Sequence, residues 1–226
     1  MDNITKQKII DSPFYTIIVS LLNLWGISKK FIGKSNEYKV GKTTLFRNTR
    51  IRVEGQNNRI EIGSKCRFRK LQINITGNNN TVVFGDSFIL YDACRISIYG
   101  DNCNVYIGSY TSIASAFLYL EESNTSVNIG NDCMLGRAIS ISTTDFHSVI
   151  DKTTMKRINF PKDVYIGNHV WIGYDVEINK GASILDDSVV GSHSLVTKKF
   201  DKDSLCIGGV PAKIIRENIT WSRKRL

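Results

Sequence analysis

Histidine is scarce in this chain, and one of the three histidines has the surroundings of a general base. His147 lies in the segment Asp145-Phe146-His147, outside any repeat. An imidazole titrates near neutral pH, so a histidine beside a carboxylate can accept a proton from a hydroxyl group. The alternative is a solvated loop histidine. His169 and His193 lie within repeats and are expected to face solvent or a neighbouring subunit.

A zinc site built from the three histidines is a second possibility. Their spacings of 22 and 24 residues contain no close pair of the kind that zinc sites use. The five cysteines contain no CxxC pair, and Cys66 and Cys133 occupy repeat positions that small core residues fill elsewhere. The sequence therefore predicts no metal, and reduced cysteines in the core.

Trp171 is the second side chain that could serve a site. It lies between Val170 and Ile172, which occupy inward positions of a repeat, so the indole is predicted to point outward. An outward tryptophan usually covers a ligand or a partner. The alternative is an aromatic side chain at a subunit interface.

A six-residue period positions these groups. It fits neither a helix nor a flat strand, and it is typical of a β-solenoid in which each hexapeptide forms one short strand and one turn. The inward ladder is expected to consist of Ile166, Ile172, Ile178, Ile184, Val190 and Val196.

A longer repeat precedes this stretch. Four units end in glycines at positions 63, 85, 108 and 130, and their Asn-rich turns suit left-handed backbone conformations. Each unit predicts one full coil. Residues 142–161 interrupt the repeat and are expected to form a functional loop outside the solenoid.

These patterns divide the chain into three parts. Residues 1–45 are predicted to be a helical cap or a membrane-surface segment, residues 46–207 the solenoid, and residues 208–226 an extension. Within the first part, Ile9, Ile10 and further apolar residues up to Trp25 have helical spacing, and Ser12-Pro13 is a plausible start. Such a helix could close the open end of a solenoid or lie on a membrane. The basic tail from Glu217 to Leu226 is expected to be helical or disordered.

The composition limits the partners. A net charge of +9 points to anionic partners, but no nucleic-acid-binding motif is visible, so nucleic acid is not expected. The first residues do not form a secretory signal, and the apolar stretch from Phe14 to Trp25 is too short to span a membrane. A cytoplasmic location is expected, with possible peripheral association at the inner face of the membrane.

The loop with His147, the segment 167–173 around Trp171 and the segment 209–216 together resemble the hexapeptide-repeat acyltransferases. The resemblance is nearest to the galactoside and maltose, streptogramin and capsular polysaccharide O-acetyltransferases. It implies an all-β fold, the left-handed parallel β-helix, and a homotrimer with active sites between subunits. It also implies acetyl-CoA as cosubstrate and a carbohydrate acceptor.

The resemblance implies roles for particular residues. His147 would be the catalytic base, and Trp171, 24 residues later, would line the acetyl-CoA site. Further contacts to acetyl-CoA would be Gly173, Tyr174, Ser192, Thr197, Lys198 and Arg216. Asp145 and Asn159 in the loop are expected to bind the acceptor. The Asn-bearing acceptor loop of the small-sugar enzymes has no counterpart here, so the acceptor stays open.

The sequence therefore predicts direct acetyl transfer from acetyl-CoA to a sugar hydroxyl of a capsular or other surface polysaccharide or its precursor. The alternatives are N-acetylation of an amino-sugar nucleotide, acetylation of a small molecule such as an antibiotic or serine, and a non-catalytic solenoid that acts as a binding or scaffold protein.

Overall fold

The computed structural model describes residues 12–225, which fold as one parallel β-solenoid with a helix at its N-terminal end. Ile9 and Ile10, which were predicted to belong to the helix, lie outside the described residues. The elements are α1 (Pro13–Gly26), β1 (Ile27–Ile32), β2 (Glu37–Val40), β3 (Leu45–Arg47), β4 (Thr49–Glu54), β5 (Arg59–Ile62), β6 (Arg67–Arg69), β7 (Leu71–Thr76), β8 (Thr81–Phe84), β9 (Ile89–Tyr99), β10 (Asn104–Ile107), β11 (Ser112–Leu120), β12 (Ser126–Ile129), β13 (Met134–Leu135), β14 (Ile139–Ser142), β15 (Val164–Ile166), β16 (Trp171–Ile172), β17 (Glu177–Ile178), β18 (Ser183–Ile184), β19 (Val189–Val190), β20 (Leu195–Val196), β21 (Cys206–Gly208) and β22 (Lys213–Arg216).

The strands form three parallel ladders, one on each face of a three-sided solenoid. Ladder A contains β2, β5, β8, β10, β12, β15 and β18. Ladder B contains β3, β6, the first residues of β9 and β11, then β13, β16, β19 and β21. Ladder C contains β1, β4, β7, the last residues of β9 and β11, then β14, β17 and β20. The chain passes through ladders A, B and C in each coil, so the corners are named A–B, B–C and C–A.

The coil length changes along the solenoid. Thr81 of β8 pairs with Arg59, 22 residues before it, and with Asn104, 23 residues after it. In the C-terminal half, Ile166 pairs with Ile184, 18 residues later. Three hexapeptides make this shorter coil, and the six predicted ladder aliphatics are all fully buried. The predicted solenoid is confirmed.

Glycine serves close approach between coils at the corners. A Cβ atom on Gly85 would lie 2.4 Å from the backbone nitrogen of Ser109 in the next coil. The left-handed conformation is instead carried by polar residues two positions further on, such as Ser87 with φ +58°. The corners therefore combine glycines for contact with non-glycine residues in the left-handed conformation, such as Ser87, for the turn.

A buried polar ladder runs inside the C–A corner. The Asn80 side chain donates to the carbonyl oxygen of Gly100 (2.9 Å), and its oxygen accepts from the backbone N–H of Cys103 (2.8 Å). Further along, the Thr143 hydroxyl donates to the Thr125 hydroxyl (3.1 Å). Buried backbone groups need such partners. The ladder leads to the first residue after β14, where the long loop begins.

Helix α1 begins as predicted, with the Ser12 hydroxyl accepting from the backbone N–H of Tyr15 (3.2 Å). The Asn23 side chain makes the hydrogen bonds that a neighbouring strand would make. It donates to the carbonyl of Thr44 (2.8 Å) and accepts from the backbone N–H of Phe46 (2.9 Å). The helix thereby caps the open edge of β3. The solenoid itself begins at Ile27 rather than at residue 46, because β1 and β2 already form the first coil.

The C-terminal extension differs from its prediction. β22 pairs antiparallel with β21, and residues 217–225 contain no helix but run back along the A–B corner. The Trp221 indole donates to the carbonyl of His169 (2.6 Å). The Arg223 guanidinium donates to the Ser112 hydroxyl (3.0 Å) and the Cys133 carbonyl (2.9 Å). The prediction of a helical or disordered tail was wrong, because these two side chains dock it.

Candidate active site

The interrupting loop occupies the C–A corner between β14 and β15. It covers residues 143–163, slightly later than the predicted 142–161. Within it, Ile150 and Arg157 form an antiparallel bridge, so the loop is a hairpin-like excursion. A short hairpin alone is marginally stable in water, so other contacts must hold it.

One anchor joins the loop to the preceding coil. Both guanidinium NH2 groups of Arg157 donate to the Glu122 carboxylate (2.5 and 2.7 Å). The Thr144 hydroxyl donates to the same carboxylate (2.5 Å). The Arg157 hydrogen bonds hold the pKa of the Glu122 carboxyl below its usual value. The Glu122 carboxylate therefore holds both arms of the loop, through Thr144 on the first arm and the bidentate Arg157 on the second.

A second anchor joins the loop to the following coil. The Lys180 ammonium lies 2.5 Å from the Asp145 carboxylate and also donates to the carbonyl of Phe160 (3.1 Å). The Asn159 side chain donates to Asp145 (2.8 Å) and to the carbonyl of His147 (2.8 Å). The hydrogen bond from Lys180 lowers the pKa of Asp145. The loop is therefore clamped between two coils of the solenoid.

The clamp presents His147 to solvent. Its backbone is held from both sides, since its N–H donates to the carbonyl of Asp145 (2.7 Å) and its own carbonyl accepts from Asn159. Within residues 12–225, no side chain forms a hydrogen bond with the imidazole. The predicted neighbour Asp145 is adjacent, but its carboxylate binds Lys180 and Asn159. A fixed backbone with a free imidazole suits a base that receives its proton from a bound molecule.

Aromatic side chains lead across ladder C to this loop. The rings of Phe117 and Tyr119 are stacked with centroids 6.3 Å apart, and Phe146 meets Tyr119 edge-on at 5.6 Å. Phe146 directly precedes His147 and is half exposed. The three rings form an apolar platform beside His147.

We expect the two loop anchors to fail in acid. Glu122 and Asp145 have pKa values lowered by folding, so they stabilise the folded loop above their unfolded pKa values and lose that effect as the pH falls through the folded ones. Below about pH 4 the amide of Val149, which donates to Asn159, should exchange faster with solvent. Hydrogen-exchange mass spectrometry checks this, with ladder peptides as reference. Simultaneous loss of protection in loop and ladders would contradict it.

A second group of predicted residues lies on ladder B and the B–C corner. Trp171 begins β16 and is 41% exposed, so the outward prediction holds. Gly173 and Tyr174 follow at the corner, where the backbone N–H of Tyr174 donates to the Ser192 hydroxyl (3.0 Å). A Cβ atom on Gly173 would lie 2.7 Å from that hydroxyl oxygen. The structure brings these four residues together.

The docked tail supports Trp171. The Trp221 ring lies 6.2 Å from the Trp171 ring and stacks on His169 at 4.4 Å. His169 in turn pairs with Asp187 (2.8 Å). His169 is thus half-buried beneath the tail, whereas His193 is exposed at the B–C corner beside Asp175.

The remaining predicted contacts are separate from this group. Thr197 and Lys198 are exposed at the C–A corner, one coil beyond Lys180. The Lys198 ammonium lies 5.3 Å from the centre of the Phe200 ring. Arg216 lies exposed on β22, outside the three ladders.

One chain does not bring His147 and Trp171 together. In a three-sided cross-section, ladder B lies opposite the C–A corner, so the core separates the loop from Trp171. Each side of an 18-residue coil contains six residues, or about 15–20 Å. A site that uses both side chains needs a second copy of the chain.

Several residues of the site carry no recognisable sequence signal. Glu122 belongs to a repeat turn, and Arg157 lies 35 residues later. Lys180 occupies an ordinary corner position, and Trp221 follows the last repeat. Each acquires its role through a contact between distant positions. Among residues 12–225, no group of three or more His, Cys, Asp or Glu side chains could hold a metal ion.

The chain is similar to several known proteins. No protein-family profile matches it. It is 38% identical over 120 residues to a polysialic acid O-acetyltransferase of Escherichia coli O1:K1 / APEC, covering 53% of this chain and 38% of that protein. It is 37% identical over 128 residues to a polysialic acid O-acetyltransferase of Neisseria meningitidis, covering 57% and 59%. The matches therefore span less than two thirds of these two relatives.

A solved structure matches over a larger share. The crystal structure of the polysialic acid O-acetyltransferase OatWY superposes with a TM-score of 0.81 at 34% identity. The match covers 88% of this chain and 93% of that one. The similarity therefore extends over most of both chains.

Proposed function

Because this chain belongs to the hexapeptide-repeat acyltransferases, with their left-handed parallel β-helix, we propose that it transfers acetyl from acetyl-CoA to a sugar hydroxyl. The acceptor is a capsular or other surface polysaccharide or its precursor. The observation that carries the proposal is the exposed imidazole of His147 on a loop that two anchors fix to the solenoid. The similarity to polysaccharide O-acetyltransferases supports the acceptor class.

The chemistry requires one base. Neutral His147 removes the proton from the acceptor hydroxyl as its oxygen attacks the thioester carbonyl carbon. The C–S bond of the tetrahedral intermediate then breaks, and the imidazolium returns the proton to the departing thiolate. The products are an acetyl ester and CoA with a free thiol. The oxyanion needs a hydrogen-bond donor, which we expect to be a backbone N–H.

Thiol release tests the reaction. We expect CoA to appear only when acetyl-CoA and a sugar acceptor are both present, and NMR of the product to show one acetylated hydroxyl. Release that requires an amino sugar, with an amide as product, would support N-acetylation instead. Absence of turnover with every class of acceptor would support the alternative of a non-catalytic scaffold.

We assign acetyl-CoA to the surface around Trp171, Gly173, Tyr174 and Ser192. A flat indole beside Gly173, which has no side chain, suits the thin pantetheine arm, and exposed cations suit the phosphates. Lys198 and Arg216 supply such cations, and Thr197 supplies a hydroxyl. The reaction needs no metal in this scheme.

Replacing Trp171 with Ala should raise the KM for acetyl-CoA about tenfold and lower kcat, because the thioester loses its wall. Titration of CoA against tryptophan fluorescence provides the direct measurement. CoA should quench the tryptophan fluorescence of the wild type more strongly than that of Trp171→Phe. Equal quench and equal KM in both proteins would make Trp171 an interface aromatic only.

We propose a homotrimer with each site between two subunits. The placement of His147 and Trp171 on opposite sides of one solenoid supports it, since only a neighbouring copy can present the missing half. Two different faces that meet head to tail close into a ring, and three copies make the smallest such ring.

Sedimentation equilibrium should give three times the chain mass of 25.5 kDa. Mixed oligomers of His147→Ala and Trp171→Ala should be more active than either variant alone, because some interfaces then hold both intact residues. Full activity in a monomer at micromolar concentration, or no gain on mixing, would rule out a shared site.

The acceptor would approach along ladder C. Sugar rings pack well on aromatic faces, and the platform of Phe117, Tyr119 and Phe146 ends at the base. Asp145 and Asn159 lie beside His147 and offer polar contacts to the acceptor, although both already hold the loop.

The five unpaired cysteines support a cytoplasmic location, where thiols stay reduced.

A further inference from the structure

Helix α1 turns most of its large apolar side chains away from the solenoid rather than toward it. The side that faces the protein presents Val19 and Asn23, and only Val19 is fully buried. Seven large apolar side chains of this helix are exposed instead: Phe14, Ile17, Ile18, Leu21, Leu22, Leu24 and Trp25. At 3.6 residues per turn they occupy an arc of about 160°. This set is called the outward arc below.

Capping the solenoid does not explain the outward arc. The cap needs Asn23, which binds the β3 edge, and Val19, which packs beneath the helix. Those two residues lie on the opposite side of the helix from Leu21. Trp25 is 92% exposed, and residues 13–26 contain no charged side chain. An apolar surface of this size on a soluble protein marks a contact with another phase or partner.

Cations surround the C-terminal end of the outward arc. Arg50 and Lys70 line a cavity of about 830 Å³ together with Leu24 and Trp25. Arg47 lines a second cavity beside Trp25, and Lys29 and Lys30 follow the helix on β1. None of the described residues that line the two cavities is an Asp or a Glu. Lys70 does form an ion pair with Asp92, which lies outside both cavities.

We propose that α1 lies in the surface of a membrane that contains anionic phospholipids. The outward arc would enter the acyl chains, and the surrounding cations would meet the headgroup phosphates. Apolar burial combined with electrostatic attraction is what holds such helices at an interface. None of the helices within residues 12–225 is long and apolar enough to cross a bilayer, so the contact is peripheral.

Vesicle flotation of the whole protein tests this. We expect binding to vesicles of phosphatidylcholine mixed with phosphatidylglycerol, and much weaker binding to phosphatidylcholine alone. Trp25 emission should shift to the blue on binding, and the shift should be absent in Trp25→Phe. Removing Lys29 and Lys30 together should weaken binding about thirtyfold. Failure of the wild type to float with either vesicle would overturn the proposal.

A matched pair of variants distinguishes the effect of changing the outward arc on membrane binding from the effect of adding a negative charge. Leu21→Glu should abolish binding, whereas Ser20→Glu, exposed on the same helix outside the arc, should weaken it only about fivefold. Both should keep the circular dichroism spectrum and acetyl transfer to a soluble acceptor. Equal loss in both variants would overturn the role of the arc. If Trp25 emission is already blue-shifted without vesicles and Leu21→Glu dissociates the oligomer, a second copy of the chain covers this face, and the membrane proposal is overturned.

Discussion

Replacing His147 with Ala should lower kcat about 10²–10⁴-fold. The acceptor hydroxyl would then have to lose its proton to water while it attacks, because the structure offers no second imidazole on this loop. The KM for acetyl-CoA should stay nearly constant, since His147 is not among the residues assigned to acetyl-CoA binding. Steady-state rates with both substrates varied provide the measurement.

Ser148→Ala is the matched control for this variant. Ser148 is exposed in the same loop and next in sequence, so its loss should leave both constants near wild type. If His147→Ala retains most of its activity, the imidazole is not the base. If both variants lose activity together, the loop backbone rather than the imidazole is what matters.

Replacing Glu122 with Ala should lower kcat about 10²-fold, although Glu122 need not touch either substrate. Its carboxylate holds Arg157 and Thr144, which lie on the two arms of the loop. Without it, His147 is no longer fixed against the acceptor, and small misplacements of a catalytic group cost about this much. Glu122 is therefore a positioning residue. The KM for acetyl-CoA should change little.

The neighbouring Glu121 provides the control, because it carries the same charge on the same turn without the bond to Arg157. Glu121→Ala should behave as wild type, and Glu122→Asp should recover part of the lost rate. Hydrogen exchange should show faster exchange at Val149 in Glu122→Ala but not in Glu121→Ala. Unchanged exchange with a lowered kcat would argue for direct contact with substrate instead.

The sequence predicts the solenoid because its core repeats the same side chain at the same place in each coil. Ile166 and Ile184 occupy the same place in successive coils, and Ile172 and Val190 do so on the next face, so their period is visible. The first coil is harder to find. Ile27, Phe31 and Tyr38 pack against the core only partly, because within residues 12–225 only the helix covers that end. With less burial there is less selection for a regular apolar period, and the predicted boundary at residue 46 came too late.

The candidate site is visible in the sequence where a residue departs from the repeat. His147 and Trp171 are conspicuous because each departs from the repeat around it. The loop anchors are not, since Glu122 and Lys180 look like ordinary turn residues and meet their partners only after the loop folds back. The tail was misjudged for the same reason. Its composition resembles a solvated basic segment, and only the contacts of Trp221 and Arg223 reveal a docked one.

The ladder register has a consequence for how the chain folds during synthesis. Most rungs join residues 18 to 23 positions apart, so each coil can dock on the one before it soon after it leaves the ribosome. Arg223 departs from this order, since it reaches back 111 residues to Ser112. A nascent chain can thus complete its solenoid while the ring of Trp171 still lacks Trp221 beside it. The surface proposed for acetyl-CoA would therefore form last, once residues 217–225 are made.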